Sequence, residues 1–313
     1  MTRVAIIGAG AIAAEHLRAF QAQPGVQLTA IHSRTPAKAM RLAEDFSIGH
    51  VSNSIDELYA VGKPDLVVVA VTIPATRQTC LDCLEHDAVL LVEKPLGLNL
   101  PECEEIVARA SEMRRSGYVA FNRRHYASTQ WVQDGLAALA GPRFIRIEDQ
   151  EDPEAAARDG HAKEVVEHWM YANSIHMIDM ARQFGRGNIS RVSQIRPYAG
   201  TSEPLAIVAE VQFESGDVAL YECIWNAQGP WAVTVHTRER RYEMRPVEGA
   251  LYQTREDRTR HPIPEAELDK TYKPGFFRQA RAAVSAVRGE AHGLATFSDA
   301  LETARLTHQI FGC

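Results

Sequence analysis

The tripeptide Glu93-Lys94-Pro95 closes the apolar run Ala88–Val92 and holds a candidate catalytic amine. A surface lysine is ordinarily just solvated. One that follows a buried strand and is fixed by the next proline is a candidate for chemistry, because ligands of an open α/β sheet bind outside the carboxyl ends of its strands. Upstream, Gly8-Ala9-Gly10-Ala11-Ile12-Ala13 reads Gly-x-Gly-x-x-Ala between a strand and a helix. That context is the one a dinucleotide turn requires. Gly8 permits the tight turn, Gly10 lets a pyrophosphate approach the backbone, and Ala13 lets helix and strand pack closely. The helix N-terminus, at Ala11 and Ile12, offers N–H groups and partial positive charge to phosphates. An NAD-selective site usually carries an acid at the end of the second strand, to accept from the ribose 2′-hydroxyl. This chain has Ser33-Arg34-Thr35 there. Ser33 can donate to a 2′-phosphate, Arg34 can pair with it or stack on adenine, and Lys38 adds charge, so the expected cofactor is NAD(P), leaning to NADP. A solvated loop arginine would leave either cofactor open.

The elements that must position these groups alternate over roughly the first 120 residues. Arg3–Gly8, Gln27–Ser33, Asp65–Val71, Ala88–Val92 and Tyr118–Phe121 read as strands; Ala11–Gln23, Ala37–Phe46, Ser54–Val61, Thr76–His86 and Pro101–Ser116 read as helices. Strands apolar at nearly every position are buried on both faces, which predicts a doubly wound parallel sheet of Rossmann type. After Asn122 the pattern changes. Arg143–Gln150, Arg191–Tyr198, Leu205–Glu214, Asp217–Asn226, Trp231–Thr237 and Arg240–Arg245 alternate in hydrophobicity between turn signals such as Glu214-Ser215-Gly216-Asp217. Consecutive strands predict a large, mostly antiparallel open sheet. Helices are expected at Ser128–Leu139, Val165–Gly185, Phe276–Arg288 and Ser298–Phe311. The expected fold class is therefore α/β: a Rossmann domain over 1–121 and an α+β domain over 122–313. Glu151–Lys163 is the most irregular stretch, either a loop over an active-site mouth or a solvated connection.

Composition narrows the function classes. A chain of 313 residues, 45% hydrophobic and 24% charged, is neither disordered nor fibrous and needs no disulfide or metal staple. A net charge of −6 argues against nucleic-acid binding, which needs a basic surface. No apolar stretch reaches membrane-spanning length, and Met1-Thr2-Arg3 leads into Val4-Ala5-Ile6-Ile7-Gly8 without a signal-peptide pattern. A cytoplasmic protein with neither nucleic-acid nor membrane partner is expected. Five cysteines (Cys80, Cys83, Cys103, Cys223, Cys313) are odd in number and irregularly spaced. Cys80-x-x-Cys83 reads as core packing, beside Leu81 and Leu84, and lacks the second pair of a zinc site. No metal is expected.

With its glycine turn and its Glu93-Lys94-Pro95, the sequence resembles the glucose–fructose oxidoreductase/inositol dehydrogenase (Gfo/Idh/MocA) family. Ala70-Val71-Thr72-Ile73-Pro74 is similar to the family's loop beneath the nicotinamide ribose, with Gln78 where a His is frequent. Phe121-Asn122-Arg123-Arg124 is similar to its entry to the second domain, and His176-Met177-Ile178-Asp179 opens its His-x-x-Asp helix. The resemblance covers nearly the whole chain. It implies hydride transfer between nicotinamide and a secondary alcohol or ketone of a sugar, sugar nucleotide or cyclitol, and it adds Thr72, Pro74, Glu93 and Lys94 to the cofactor contacts.

The same resemblance implies roles for Lys94 and His176, and the residue types around them suggest further contacts. Lys94 would hydrogen-bond the reacting oxygen and His176 would exchange its proton near neutrality; Lys94 would itself be the base if burial beside the oxidised ring lowered its pKa. Many relatives carry an Asp four residues before this His and a Gly two before; here stand Ala172 and Ser174. Asn173, three before His176 on one helical face, is the expected substitute, binding a substrate hydroxyl or orienting His176, unless it is a helix-surface amide. Asp179 is expected to be structural. His168, Trp169 and Tyr171 suit a sugar ring, with packing of Trp169 against the sheet as the alternative. Arg123 and Arg124 would bind a substrate carboxylate or pyrophosphate, or pair with surface acids. Three other functions stay open: glycoside cleavage by transient oxidation and elimination, reduction of a non-sugar carbonyl or dihydrodiol, and cofactor sensing without catalysis. As in relatives, the second sheet is expected to join a homodimer or homotetramer.

Overall fold

Leu66–Val69 is buried at each of its four positions, which only the middle of a sheet covered on both faces allows. The computed structural model describes residues 1–195 and 206–312. Residues 196–198 of the expected strand Arg191–Tyr198, together with Leu205 and Cys313, lie outside the described residues. The chain forms two units: Met1–His125 with Glu267–Glu302, and Tyr126–Ala266 with Thr303–Cys313.

In the first unit, β1 (Thr2–Ile7), β2 (Val26–His32), β3 (His50–Ser52), β4 (Leu66–Val69), β5 (Val89–Val92) and β6 (Gly117–Val119) alternate with α1 (Ala11–Gln21), α2 (Pro36–Asp45), α3 (Ile55–Gly62), α4 (Ile73–Leu84) and α5 (Leu100–Glu112). The sheet order is β6-β5-β4-β1-β2-β3, all parallel, with the short strand Ala295–Thr296 antiparallel outside β6. Strand order reverses at β1, where Ile6 lies between Ile31 and Val68; that reversal opens the ligand crevice of a doubly wound sheet. The Rossmann-type sheet is thus as the sequence predicts, but the single division at Phe121–Asn122 is not what is found. The first unit runs on to His125 and takes back Glu267–Glu302. The physical reason is apolar burial: the helix Phe276–Val287 places Phe276, Ala280, Ala283 and Val284 in the first unit's core.

The second unit contains α6 (Ala127–Ala137), β7 (Phe144–Glu151), α7 (Pro153–Arg158), α8 (Lys163–Glu167), a π-helical turn (Met170–Ser174), α9 (Ile175–Phe184), β8 (Ile189–Ile195), β9 (Ala206–Phe213), β10 (Val218–Trp225), β11 (Trp231–His236), β12 (Arg240–Met244), β13 (Leu251–Thr254) and β14 (His261–Pro262). Its eight strands run β14-β13-β12-β11-β7-β10-β9-β8. Each neighbouring pair is antiparallel except β7 and β10, which run parallel with Ile147 opposite Tyr221. Two corrections concern local structure. The irregular stretch Glu151–Lys163 contains α7, because Asp152 caps it by accepting from the Ala155 N–H (2.7 Å) and Pro153 opens its first turn. The expected helix Val165–Gly185 is broken by the π-helical turn, a device that often marks functional sites. Among the described residues no helix is long and apolar enough to cross a membrane.

Candidate functional site

In the first unit the glycine turn does two different jobs. Gly8 has φ +116°, and a Cβ there would stand 2.0 Å from the Ala70 carbonyl oxygen, so only glycine fits. Gly10 has ordinary extended backbone (φ −90°, ψ 179°), and a Cβ there would meet nothing within 4 Å. Its glycine leaves open space directly before α1. No side chain caps α1 and no acid sits in its first turn, while Ala13 is fully buried against the sheet. A cavity of about 680 Å³ opens here, lined by the expected Gly8, Gly10, Ala11, Ile12, Ser33, Arg34, Lys38 and Thr72. Arg34 donates to Thr72 Oγ1 (3.2 Å), so its guanidinium reaches from the end of β2 to the loop after β4. The acid on this wall, Asp82, accepts from Gln78 (2.7 Å) and sits on α4, not at the end of β2.

Three expected cofactor contacts stand elsewhere. Pro74 is in the first turn of α4 and is not on the cavity wall. Glu93 and Lys94 follow β5, also off that wall. The Glu93 carboxylate meets His16 Nε2 at 2.7 Å. His16 is 1% exposed and lies 4.7 Å from the Phe276 ring. Sequence reasoning missed His16, although it falls on the inward stripe of α1 with Ala13, Leu17 and Phe20. Arg123 is partly buried in a turn at Asn122–His125, and Arg124 stacks over Phe121 (5.6 Å). Cys80 and Cys83 are buried in α4; burial pushes the Cys80 thiol well up and the Cys83 thiol to about 12, which keeps both inert.

In the second unit, the inward row of β7 is Ile145, Ile147, Asp149, Glu151, apolar at one end and acidic at the other, none more than 3% exposed. The π-helical turn carries Asn173, and Trp169 immediately precedes it. Trp169 donates its indole N–H to Glu151 Oε2 (2.7 Å), and Asn173 donates to both Glu151 oxygens (3.1 and 2.9 Å). Asn173 is therefore not a free helix-surface amide. Trp169 also packs on the unit's apolar core and meets His161 edge-on at 5.3 Å. Tyr221 of β10 donates to Asp149 Oδ2 (2.6 Å). His176 lies in the first turn of α9, 4% exposed. Asp179, 1% exposed, accepts from Thr303 Oγ1 (2.9 Å). His168 Nδ1 contacts the Glu164 carbonyl (2.9 Å). The acids on β7 went unrecognised; their signal was an inward position of an alternating strand occupied by a charge. Among the described residues, no group of three or more His, Cys, Asp or Glu could hold a metal ion.

The chain is similar to a family model, to curated relatives and to solved structures. The profile described as an oxidoreductase family with an NAD-binding Rossmann fold (GFO_IDH_MocA) matches residues 2–121. A 4-carboxy-2-hydroxymuconate-6-semialdehyde dehydrogenase from Sphingobium sp. is 23% identical over 235 residues, 73% of either chain. An inositol 2-dehydrogenase from Rhodococcus jostii is 31% identical over 215 residues, which span 64% of this chain but 55% of that protein. The crystal structure of a dehydrogenase from Chromobacterium violaceum has the same fold, with a TM-score of 0.85 at 18% identity over 100% of this chain and 95% of its own.

Proposed function

We propose, from the premise that this chain belongs to the Gfo/Idh/MocA oxidoreductase family, that it moves a hydride between a nicotinamide dinucleotide and a secondary alcohol or ketone of a sugar, sugar nucleotide or cyclitol. The observation that carries this reading is the open space at Gly10 before an uncapped α1, inside a cavity of about 680 Å³. A pyrophosphate fits that cradle, and backbone N–H groups with the helix dipole favour its charge. Bound there, the dinucleotide supplies a two-electron acceptor or donor at the nicotinamide ring.

The chain's own residues position and deprotonate. Ser33, Arg34 and Lys38 hold a ribose 2′-phosphate, which favours NADP over NAD. Thr72, on the cavity wall, would hold the nicotinamide ribose, and Glu93 anchors the Lys94 loop through His16. Lys94 hydrogen-bonds the reacting oxygen, and His176 takes or returns its proton. Trp169, Asn173 and Arg123 bind the remainder of the substrate. A second copy packs on the open face of the eight-stranded sheet, where Phe144 and Ile224 are 44% and 45% exposed.

A second reading, oxidation or reduction of a non-sugar carbonyl, is favoured by the muconate semialdehyde dehydrogenase, the relative aligned over 73% of this chain. A panel of sugars, sugar nucleotides, cyclitols and carboxylated aldehydes, scored by nicotinamide absorbance, separates the two. Lys94→Ala is expected to lower kcat by about a thousandfold while cofactor affinity is kept. Near-normal turnover in that variant removes Lys94 from the mechanism.

A further inference from the structure

The second unit has a cavity of its own, of about 300 Å³, at the end of the sheet where β7 begins. Phe144 of β7 pairs with His236, the last residue of β11, and the cavity wall starts at the next residue, Thr237. Glu151, with Trp169 and Asn173 on it, ends the same strand seven residues and roughly 23 Å further on. Two turns build the rim. Thr237 closes the hairpin of β11 and β12: its Oγ1 accepts from the Arg240 N–H (2.9 Å), and its own N–H donates to the Arg240 carbonyl (2.8 Å). The turn after β13 is held by Thr254, whose Oγ1 accepts from the Asp257 N–H (3.0 Å). The Arg255 N–H, on the Glu239 carbonyl (2.8 Å), ties the two turns together.

Five side chains of this wall are arginines: Arg238, Arg240, Arg241, Arg255 and Arg258. Against Glu239, the acid among the lining residues, they leave a surplus of four positive charges on a chain whose net charge is −6. Arg241 is matched by Glu243 (2.9 Å) and Gln253 (3.0 Å). Arg240 donates to the neutral Tyr242 hydroxyl (3.3 Å). Among the described residues, no carboxylate lies within ion-pair distance of Arg238, Arg240, Arg255 or Arg258. Asp257 is already engaged by His261 (2.8 Å) and the Thr259 N–H (2.8 Å). A guanidinium does not shed its proton, so such crowding is relieved by solvent or by an anion, never by titration. The His236 imidazole registers it: burial first, and then the charge of Arg241, hold it below its usual value.

We propose that this cavity binds a phosphorylated small molecule carrying at least two negative charges, a diphosphate or a sugar phosphate. Guanidinium forks match phosphate oxygens two at a time, and hairpin backbone fixes where these forks start. The volume is less than half of the 680 Å³ before α1, so the site suits a phosphate group with one sugar ring and not a dinucleotide. It goes beyond the hydride-transfer reading and does not depend on it.

Isothermal titration of the full chain with pyrophosphate, glucose 6-phosphate, inorganic phosphate and sulfate, at one ionic strength held with sodium chloride, tests the site. Pyrophosphate would also enter the cradle before α1, so the series is repeated in Gly10→Val, where binding at the arginine cavity should persist. Arg255 and Arg258 are exposed, so their variants should keep the parental melting temperature. Arg255→Ala and Arg258→Ala should each weaken the best phosphate ligand about tenfold, and Arg255→Lys, which keeps the charge and loses the fork, about threefold. The order among pyrophosphate, glucose 6-phosphate and inorganic phosphate identifies the source of the phosphate group. No binding of any phosphate, sulfate bound as tightly as the best of them, affinity unchanged in both alanine variants, or binding lost in Gly10→Val overturns the proposal.

Discussion

The glycine turn of the first unit and the acid-ended strand of the second are each the polar end of a buried ladder, yet they are made of different materials. After β1 the ladder ends in backbone: a turn that only Gly8 can make, an empty approach at Gly10, and the N-terminus of α1. In β7 it ends in side chains: two carboxyls facing inward, with Trp169, Asn173 and Tyr221 brought onto them from two other elements. A backbone site depends on a few consecutive residues and on sterics. A side-chain site depends on register between distant segments and on where the protons are. The first therefore tolerates almost no change of shape, and the second should tolerate changes that preserve its hydrogen bonds.

The largest expected effect follows from shape. Gly8→Ala forces a methyl into the Ala70 carbonyl and should cost about 3 kcal/mol or more, read by urea unfolding. The second unit contains its own control. Burial raises the Asp217 carboxyl, but the Arg186 hydrogen bond and the Arg143 N–H (2.8 Å) outweigh it, and the net shift is downward. A lowered carboxyl gives stability above the usual carboxylate range and loses it as pH falls through the folded value. Asp217→Asn should thus cost on the order of 2 kcal/mol at neutral pH. Asp149 is shifted the other way, so the folded state keeps a proton that the unfolded chain releases, and stability falls as pH rises from the usual carboxylate range. Asp149→Asn should cost little at neutral pH and flatten that decline. Equal losses in the two Asn variants would break the comparison. The smallest effect sharpens the first region: Arg34→Ala should weaken NADPH about tenfold and NADH hardly at all, by nicotinamide fluorescence.

These materials also explain what the sequence could disclose. The strand–turn–helix at Gly8–Ala13 was legible because close approach and positive φ leave a local signature. The alternation of Phe144–Glu151 announced a strand, but not that its inward row would end in Asp149 and Glu151, since an inward acid reads as an exception until its donors are known. The same limit hid the return of Phe276–Val287 to the first core, where apolar periodicity says that a face is buried and not against what. It also hid the π-helical turn, because Val165–Gly185 carries unbroken helical periodicity, and the hydrogen bonds of Trp169 and Asn173 to Glu151 that accompany the turn come from a distant strand. Asp152-Pro153, by contrast, is a readable helix start within a stretch that otherwise reads as irregular.

The claim on which the rest depends is that a dinucleotide lies against Gly10. The backbone there is ordinary and a Cβ would meet nothing within 4 Å, so Gly10→Val should fold as the parent does. Titrating this variant with NADPH and NADH by nicotinamide fluorescence, beside a melting curve, is the direct test. An unchanged melting temperature with binding of both cofactors lost is the predicted result. Parental affinity in a folded Gly10→Val protein would contradict the account.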